Sequence, residues 1–488
     1  MSQGQVTRSR REVLKTGAWC AAAAIMRPLM AGGQQVKVFD VAKYGAVGDG
    51  VVLDSPAIQK AIDEAAAYTG KAQVLLRGGK KYLVGTVELK GAIDFHLADD
   101  AELLASLRRE DYVGGLAGSA NGDTMATVAG AMIIANGAQG LKISGTGTLQ
   151  GRAREFMKGY DAVGEWWLPK EWRPKMFVLT SCRDLEVRDI TFAEAPNWGL
   201  HMLGCDGVLV DNIKIRNLLD VPNCDGIDPD HSRNVEIRNC DIVCGDDGVV
   251  VKTSRQAKDF GPSANIHVRD CVIETQSSAL KIGSETTADV HDITFERCQV
   301  KSSARGLCIQ LRDEGNVYNI AFKDIMFQSR YFAAPWWGKG EAISFTAFPR
   351  KVGSKLGTMH EITVQNVTAH AENSVRIWGS SESRVHDIVL DHVDLTLDRW
   401  TKYDGGIYDN RPTTAMAGTE LTEPHETVGF SIQDADNVTL RDCRLRWGAN
   451  PPEYFGEAVE SKNVTGLKVE RFDGDAARPV SKNAKKPE

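Results

Sequence analysis

Two short stretches of the chain concentrate groups that could do chemistry. They read Asn223-Cys224-Asp225-Gly226-Ile227-Asp228-Pro229-Asp230 and Gly245-Asp246-Asp247-Gly248-Val249-Val250-Val251-Lys252. Asp225 and Asp246 are 21 residues apart. In a chain that coils with about that period, they fall on neighbouring rungs, about 4.8 Å apart along the axis. Carboxylates crowded in this way repel, so at least one should hold its proton to unusually high pH. A protonated acid beside an ionised base is what hydrolysis of a glycosidic bond requires, one for the leaving oxygen and one for water. Aspartates scattered through turns would account for single members of the set but poorly for the Asp246-Asp247 doublet. A calcium site is a further reading, because clustered carboxylate oxygens also suit that ion; the expectation is no metal and no cofactor. Asn223 and Asp225, two apart in a segment expected to be extended, should face the same side. Gly245 and Gly248 would let the chain bend so that both Asp246 and Asp247 reach solvent.

Such a set needs a repeating scaffold, and the sequence contains one. From about residue 184 a phrase recurs: Asn or Asp, apolar, any, apolar, any, Asn or Asp. It appears as Asp184-Leu185-Glu186-Val187-Arg188-Asp189, Asn234-Val235-Glu236-Ile237-Arg238-Asn239, Asn265-Ile266-His267-Val268-Arg269-Asp270 and Asn437-Val438-Thr439-Leu440-Arg441-Asp442. Looser copies start at Gly207, Asp292, Asn319, Glu361 and Asp387. Each copy alternates apolar and polar residues, the pattern of a strand with one buried face. Asn and Asp at its ends suit tight turns, since they tolerate left-handed backbone. Starts are mostly 23 to 31 residues apart, enough for one coil of three short strands. The implied fold is all-β, a parallel β-helix (solenoid) in which each coil covers its neighbour's apolar face. Cys240, Cys271, Cys298 and Cys443 each lie six residues after the start of their copy, a slot that Ile190 and Ile325 fill elsewhere. They read as small apolar core residues, with few or no disulfides.

At the front, Val38 to Gly50 reads as a strand and a glycine-rich turn, and Ser55-Pro56 opens a helix through Ile58, Ala61, Ile62 and Ala65. Ser at the N-cap and Pro at the first helical position is a start signal, and this helix would cap the open end of the solenoid. The expected division is therefore an export signal over 1–31, one catalytic domain over 36–475 with its cap at 36–70, and a flexible tail over 476–488. The signal rests on Arg10-Arg11 ahead of the short, Ala-rich stretch Thr16 to Met26, an arrangement similar to twin-arginine export signals, which predicts a periplasmic or secreted protein. A net charge of −7 and the lack of a long Lys/Arg block speak against nucleic acid as a partner. No apolar run beyond the N-terminus approaches the ~20 residues of a membrane span, and a monomer is expected. Two gaps exceed one coil. One holds Arg330, Tyr331, Trp336, Trp337, Glu341 and Arg350; the other holds Trp400, Tyr403 and Tyr408. Insertions in solenoids emerge as loops, often on the binding face.

From Val38 to Phe472 the chain resembles the polygalacturonase-type glycoside hydrolases of family 28, which are similar to one another as right-handed parallel β-helices. Phe39 to Ile62 looks like their N-terminal cap. Ala195-Pro196-Asn197-Trp198-Gly199-Leu200-His201 is similar to the segment ahead of their catalytic coils. Asn223 to Asp228 matches their first catalytic motif, and Gly245-Asp246-Asp247 with Lys252 their second. The resemblance implies that Asp246 is the general acid and that Asp225 and Asp247 share activation of water, with inversion. Inverting sites keep their carboxyls ~6.5–9.5 Å apart, which one rung plus an offset could supply. The implied substrate is a pectin-type polysaccharide or oligosaccharide, galacturonan or rhamnogalacturonan, or a related one. Asn223, His201 and Lys252 are expected to contact it.

Two family motifs are missing. Ser278 stands where the family has a histidine between two glycines, and Cys308-Ile309-Gln310 stands where it has Arg-x-Lys. A buried uronate without a cation is unfavourable, so sugar recognition must differ around Ser278 and Gln310. Lys252, Lys281 and Arg312 could supply substitute charge, or the sugar at the cleavage point could be neutral. Trp336 and Trp337 could stack on sugar rings or pin their loop to the barrel, and Glu341 could bond sugar hydroxyls. Two other classes remain open: a polysaccharide lyase with a Lys or Arg base and calcium, and a non-catalytic carbohydrate-binding protein.

Overall fold

The computed structural model describes residues 35–113, 127–351, 353–413 and 422–478. The expected export signal over 1–31 lies outside these residues, as does most of the expected tail. Ala477 and Arg478, assigned to that tail, are tied down: the Ala477 amide donates to Gly456 O and the Arg478 guanidinium to Glu453 O and Pro451 O.

Thirty-five strands join into a single sheet of parallel pairs, each strand hydrogen-bonded to its counterpart one coil on, as expected of a parallel β-helix. The repeated phrase forms one ladder of it. Val208, Val235, Ile266, Ile293, Ile320, Ile362, Ile388 and Val438 stand in register on successive coils, and all are buried. From Val317 onward two strands of each coil merge, so Val317–Ser329 pairs with both Val290–Glu296 and Gln299–Ser302.

The Asn and Asp residues that bound the phrase do what their type predicts. Asn234, Asn265, Asp292, Asn319, Asp387 and Asn437 at its start have φ between 54° and 57° or close to it, and Asp189, Asn239, Asp270 and Asp442 at its end are likewise left-handed. Their side chains also bond along the axis. Asn265 donates to Asn234 Oδ1 at 2.7 Å, and Asn234 to Asp206 Oδ1 at 2.6 Å. The cysteine slot is a stacked core column: Val272 N–H bonds Cys240 O and Gln299 N–H bonds Cys271 O, placing Cys240, Cys271 and Cys298 on successive coils. The nine described cysteines are all unpaired and buried.

The helix Ser55–Ala67 buries Ile58, Ala61, Ile62 and Ala65 against the first coils. Its start differs from expectation. Asp54 is the N-cap residue, with its carboxylate turned to the amides of Val47 and Gly48, while Ser55 Oγ accepts from Gly85 N–H at 2.9 Å. Asp54 closes a turn within the cap and Ser55 ties the helix to the first coils, so neither side chain serves the helix's own amides.

Candidate active site

One face of the solenoid carries Trp172–Thr180, Leu200–Leu203, Ile227–Asp230, Val249–Thr253, Ser278–Thr286, Arg305–Leu311, Glu341–Ala347 and Asn373–Trp378 in consecutive parallel pairs. Because side chains alternate along a strand, this register lays the outward residues in columns. One column runs Lys175, Trp198, Asp225, Asp247, Ser278, Arg305, Glu341. A second contains His201 beside Asp228, then Lys281 beside Cys308. A third pairs Asp230 with Lys252 and, further on, Gly283 with Gln310.

Asp225, Asp246 and Asp247 are brought together: each offers a carboxylate oxygen within 4.8 Å of the others. That gap is shorter than the ~6.5–9.5 Å expected for an inverting pair. The offset between rungs that would have widened it is absent, since Gly226 N–H bonds directly to Asp247 O at 2.9 Å. Close coil stacking demands the flanking glycines. A Cβ on Gly245 would sit 2.2 Å from Val221 O, and one on Gly248 2.6 Å from Ala279 O. Neither glycine is needed for a left-handed backbone, as the expected bend had implied.

The three carboxyls are driven apart in acidity. Asp246 accepts the amides of Asn223 at 3.0 Å and Asp247 at 2.9 Å. Desolvation, then the neighbouring Asp247 charge, push its pKa up to about 6, against the pull of Lys281. Crowding was expected to raise one carboxyl; it does contribute, but removal from water is the larger cause. Burial would raise Asp247 too, yet the Lys281 ammonium at 2.7 Å outweighs it, helped by Ser277 Oγ at 2.9 Å, and holds this carboxyl below its ordinary range. Asp225 is raised well above that range by burial, then by Asp228 and Asp246, despite Lys252 at 3.7 Å. Asp225 Oδ1 is buried and has no protein partner among the described residues.

The acidities predict a bell-shaped pH dependence. Activity that needs Asp246 protonated and Asp247 ionised should have kcat/KM falling tenfold per pH unit above about pH 6. A profile flat from pH 5 to 8 would remove Asp246 as the acid.

The other expected contacts fall into place differently. Asn223 lies in a left-handed turn, φ 57°, rather than an extended segment. Its side chain is taken by Arg173 at 2.7 Å, and only its amide reaches Asp246. His201 is buried with both nitrogens engaged, Nε2 to Asp230 Oδ2 at 3.0 Å and Nδ1 to Lys175 Nζ at 3.2 Å; that network assigns the proton to Nε2. Lys252 pairs with Asp228 at 2.9 Å and lies 3.8 Å from the Trp198 ring, which Lys175 also approaches to 3.5 Å. Ser278 gives its amide to Asp247 Oδ1 at 3.2 Å. Lys281 serves Asp247 directly.

The remaining expected sugar contacts are turned to bracing the inserted loops. Gln310 donates to Arg411 O at 2.8 Å, and Arg312 is fully buried on Thr346. Glu341 is fully buried, accepts the Lys339 amide at 2.6 Å and stands 3.7 Å from Arg305. Trp336 is 4% exposed and packs on Ala304, Phe332 and Ala333, so it pins its loop. Trp337 keeps partial exposure. Residues near the site that sequence reading passed over include Arg173, Lys175 and Glu285, and Trp198 and Asp230 are read only as parts of longer motifs. For Lys175 the signal is strand register: Lys175 and Trp198 precede Asp225 in its own column. The aspartate triad also has the donor set for a cation, though Lys281 and Lys252 already set ammonium groups against it. A second cluster, Asp391, His392 and Asp442, has its carboxylates bonded to Arg441 and Arg471.

Comparison with known proteins agrees with this geometry. The profile of the Glycosyl hydrolases family 28 matches residues 99–405, more than half of the chain. A probable polygalacturonase of Arabidopsis thaliana is 27% identical over 282 residues, 57% of this chain and 56% of that one. The endo-polygalacturonase of Pectobacterium carotovorum subsp. carotovorum is 23% identical over 353 residues, covering 70% and 84% of the two chains. The chain thus spans about half the length of the first plant relatives, 56% and 55%. Among solved structures, the family 28 exopolygalacturonase of Yersinia enterocolitica superposes with a TM-score of 0.68 at 18% identity, over 91% of this chain and 79% of that one, and so shares the fold. A parallel β-helix with its aspartate triad on one strand face, matched by the family profile over that whole face, places this chain among the glycoside hydrolases: it belongs to glycosyl hydrolase family 28.

Proposed function

We propose that the protein hydrolyses glycosidic bonds of a pectin-type polysaccharide or oligosaccharide, a galacturonan or rhamnogalacturonan. Asp246 acts as general acid, while Asp225 and Asp247 activate water. The observation that carries this reading is the split acidity of adjacent carboxyls: Asp246 is pushed up to about 6 while Asp247 is held low by Lys281. Two carboxyls whose surroundings drive them apart are suited to acid and base roles. Asp247, the carboxyl held ionised, takes the proton of the water, and Asp225, raised by burial, hydrogen-bonds and orients that water. The similarity to named polygalacturonases supports the substrate class.

The chemistry that follows is direct displacement. Water, oriented by Asp225, loses a proton to the ionised Asp247 carboxylate as it attacks the anomeric carbon. The glycosidic oxygen takes the Asp246 proton as its bond to that carbon breaks. Both oxygens of Asp247 are already held by donors, Ser277, Ser278 and Lys281, which disfavours a covalent bond to sugar. The anomer first released from polygalacturonate or rhamnogalacturonan, followed by proton NMR, should be inverted. A retained anomer would replace this scheme with a covalent intermediate, and an unsaturated, ultraviolet-absorbing product would replace hydrolysis with elimination.

A further inference from the structure

A cavity of about 190 Å³ is lined by Glu165, Glu274, Gln276, Arg330, Phe332 and Tyr403, among others. It borders the turn that carries the acid. Thr275, in the cavity wall, hydrogen-bonds through Oγ1 to the backbone carbonyl of Asp246. Two elements far apart in sequence share the opposite wall: Glu165, in the hairpin joining Met157–Asp161 to Trp166–Pro169, accepts from Tyr403 Oη at 2.6 Å and Lys402 Nζ at 2.5 Å.

The charges in and around this cavity are unequal. On the strand face beyond the aspartates every cation is engaged: Lys281 with Asp247, Arg305 with Glu341 and Asp409, Arg312 with Thr346, Arg376 with Asn410. Arg330 differs. Its guanidinium lies over Phe332, 4.6 Å from the ring centre, with a long bond from Nε to Tyr331 O and a hydrogen bond to Tyr403; it attracts the Glu165 carboxylate from a distance, but among the described residues no carboxylate stands within ion-pair distance of it. Glu165 is paired with Lys402, and Glu274 and Gln276 bring further acceptor groups to the cavity lining. One cation, a separate carboxylate and an apolar ring edge fit a pyranose with one carboxylate, several hydroxyls and an apolar face.

We propose that this cavity is a sugar subsite and that Arg330 binds the carboxylate of a uronic-acid residue there. Arg330 would thereby supply the cation that the strand face lacks at Cys308 and Gln310. The inference rests on the reading of Asp246 as the acid of a hydrolase, and its test is separable from that reading. Trigalacturonate and its carboxyl-reduced counterpart are titrated calorimetrically into Asp246→Asn protein and into the same protein carrying Arg330→Gln or Arg330→Lys. Arg330→Gln should weaken trigalacturonate binding at least tenfold and bring the affinity ratio of the two ligands close to one, while Arg330→Lys retains part of the preference. Equal weakening of both ligands, no weakening, or no trigalacturonate binding by the parent protein would overturn the proposal. Failure of the acid assignment would appear elsewhere, as undiminished hydrolysis by Asp246→Asn.

Discussion

Replacing Asp246 by Asn should lower kcat on a pectic substrate by about 10²–10⁴, the usual worth of a positioned general acid. Asn is close to isosteric but has no acidic proton to give; it also keeps only one oxygen for the two amides, of Asn223 and Asp247, that bond separate oxygens of Asp246. The loss should depend on the leaving group. A natural sugar alcohol leaves poorly without protonation, whereas a dinitrophenolate leaves without help, so the deficit should shrink sharply on an aryl glycoside. Reducing-end release from polygalacturonate and rhamnogalacturonan, set beside aryl glycoside hydrolysis and a melting curve, measures this. Release undiminished in the variant would sink the acid assignment. An equal deficit on both kinds of substrate, with intact folding, would make Asp246 a positioning residue.

Lys281→Met should be the second large effect, and it acts through Asp247. The pair is buried on both sides, each side chain 6% exposed, with Nζ to Oδ2 at 2.7 Å. Taking one partner away leaves an uncompensated buried carboxylate, which costs about 3–5 kcal/mol of stability. The functional consequence has a definite sign. Lys281 is the largest influence holding Asp247 low; without it the carboxyl binds its proton at higher pH. The acidic limb of kcat/KM should therefore move up toward the limb set by Asp246, narrowing and lowering the bell. Lys281→Arg should restore much of the profile. A variant that melts early but keeps the wild-type pH profile would show Lys281 to be structural only.

Ser278 stands in the same column as Asp225 and Asp247. Its hydroxyl lies beside the Cys308 thiol, where the resemblance led one to expect an imidazole. The neighbouring column sets Lys281 beside Cys308, and its ammonium is spent on the catalytic carboxylate. A cation that the sequence offered as a substitute for sugar binding is thus paired with Asp247, the carboxyl proposed to act on water.

The scaffold was legible in the sequence because solenoid coils obey local rules. Apolar alternation buries Val235, Ile266 and Ile293, left-handed Asn and Asp close the turns, and a fixed spacing stacks Cys240, Cys271 and Cys298. Each rule acts over a few residues and repeats, so a linear reading recovers it. The same regularity puts Asp225 one coil from Asp246 and so groups the aspartates.

What lay beyond reading is whatever depends on lateral register or on chain brought from far away. The 4.8 Å closeness of the carboxylates depends on coils stacking without offset, which a spacing of residues does not specify. Lys175 and Trp198 join the site only because their strands pair in register with the one after Asp225. Trp336 and Glu341 carry the residue types of sugar contacts, yet burial against partners such as Asp409 and Ala304 makes them props for a loop. The contact of Glu165 with Tyr403 spans 238 residues, and no local pattern encodes it. The sequence by itself determined the repeat, the core and the grouping of the three aspartates, because those follow from short-range periodicity. Only the tertiary structure decided which charges are spent and which stay available, because pairing and desolvation are set by neighbours in space.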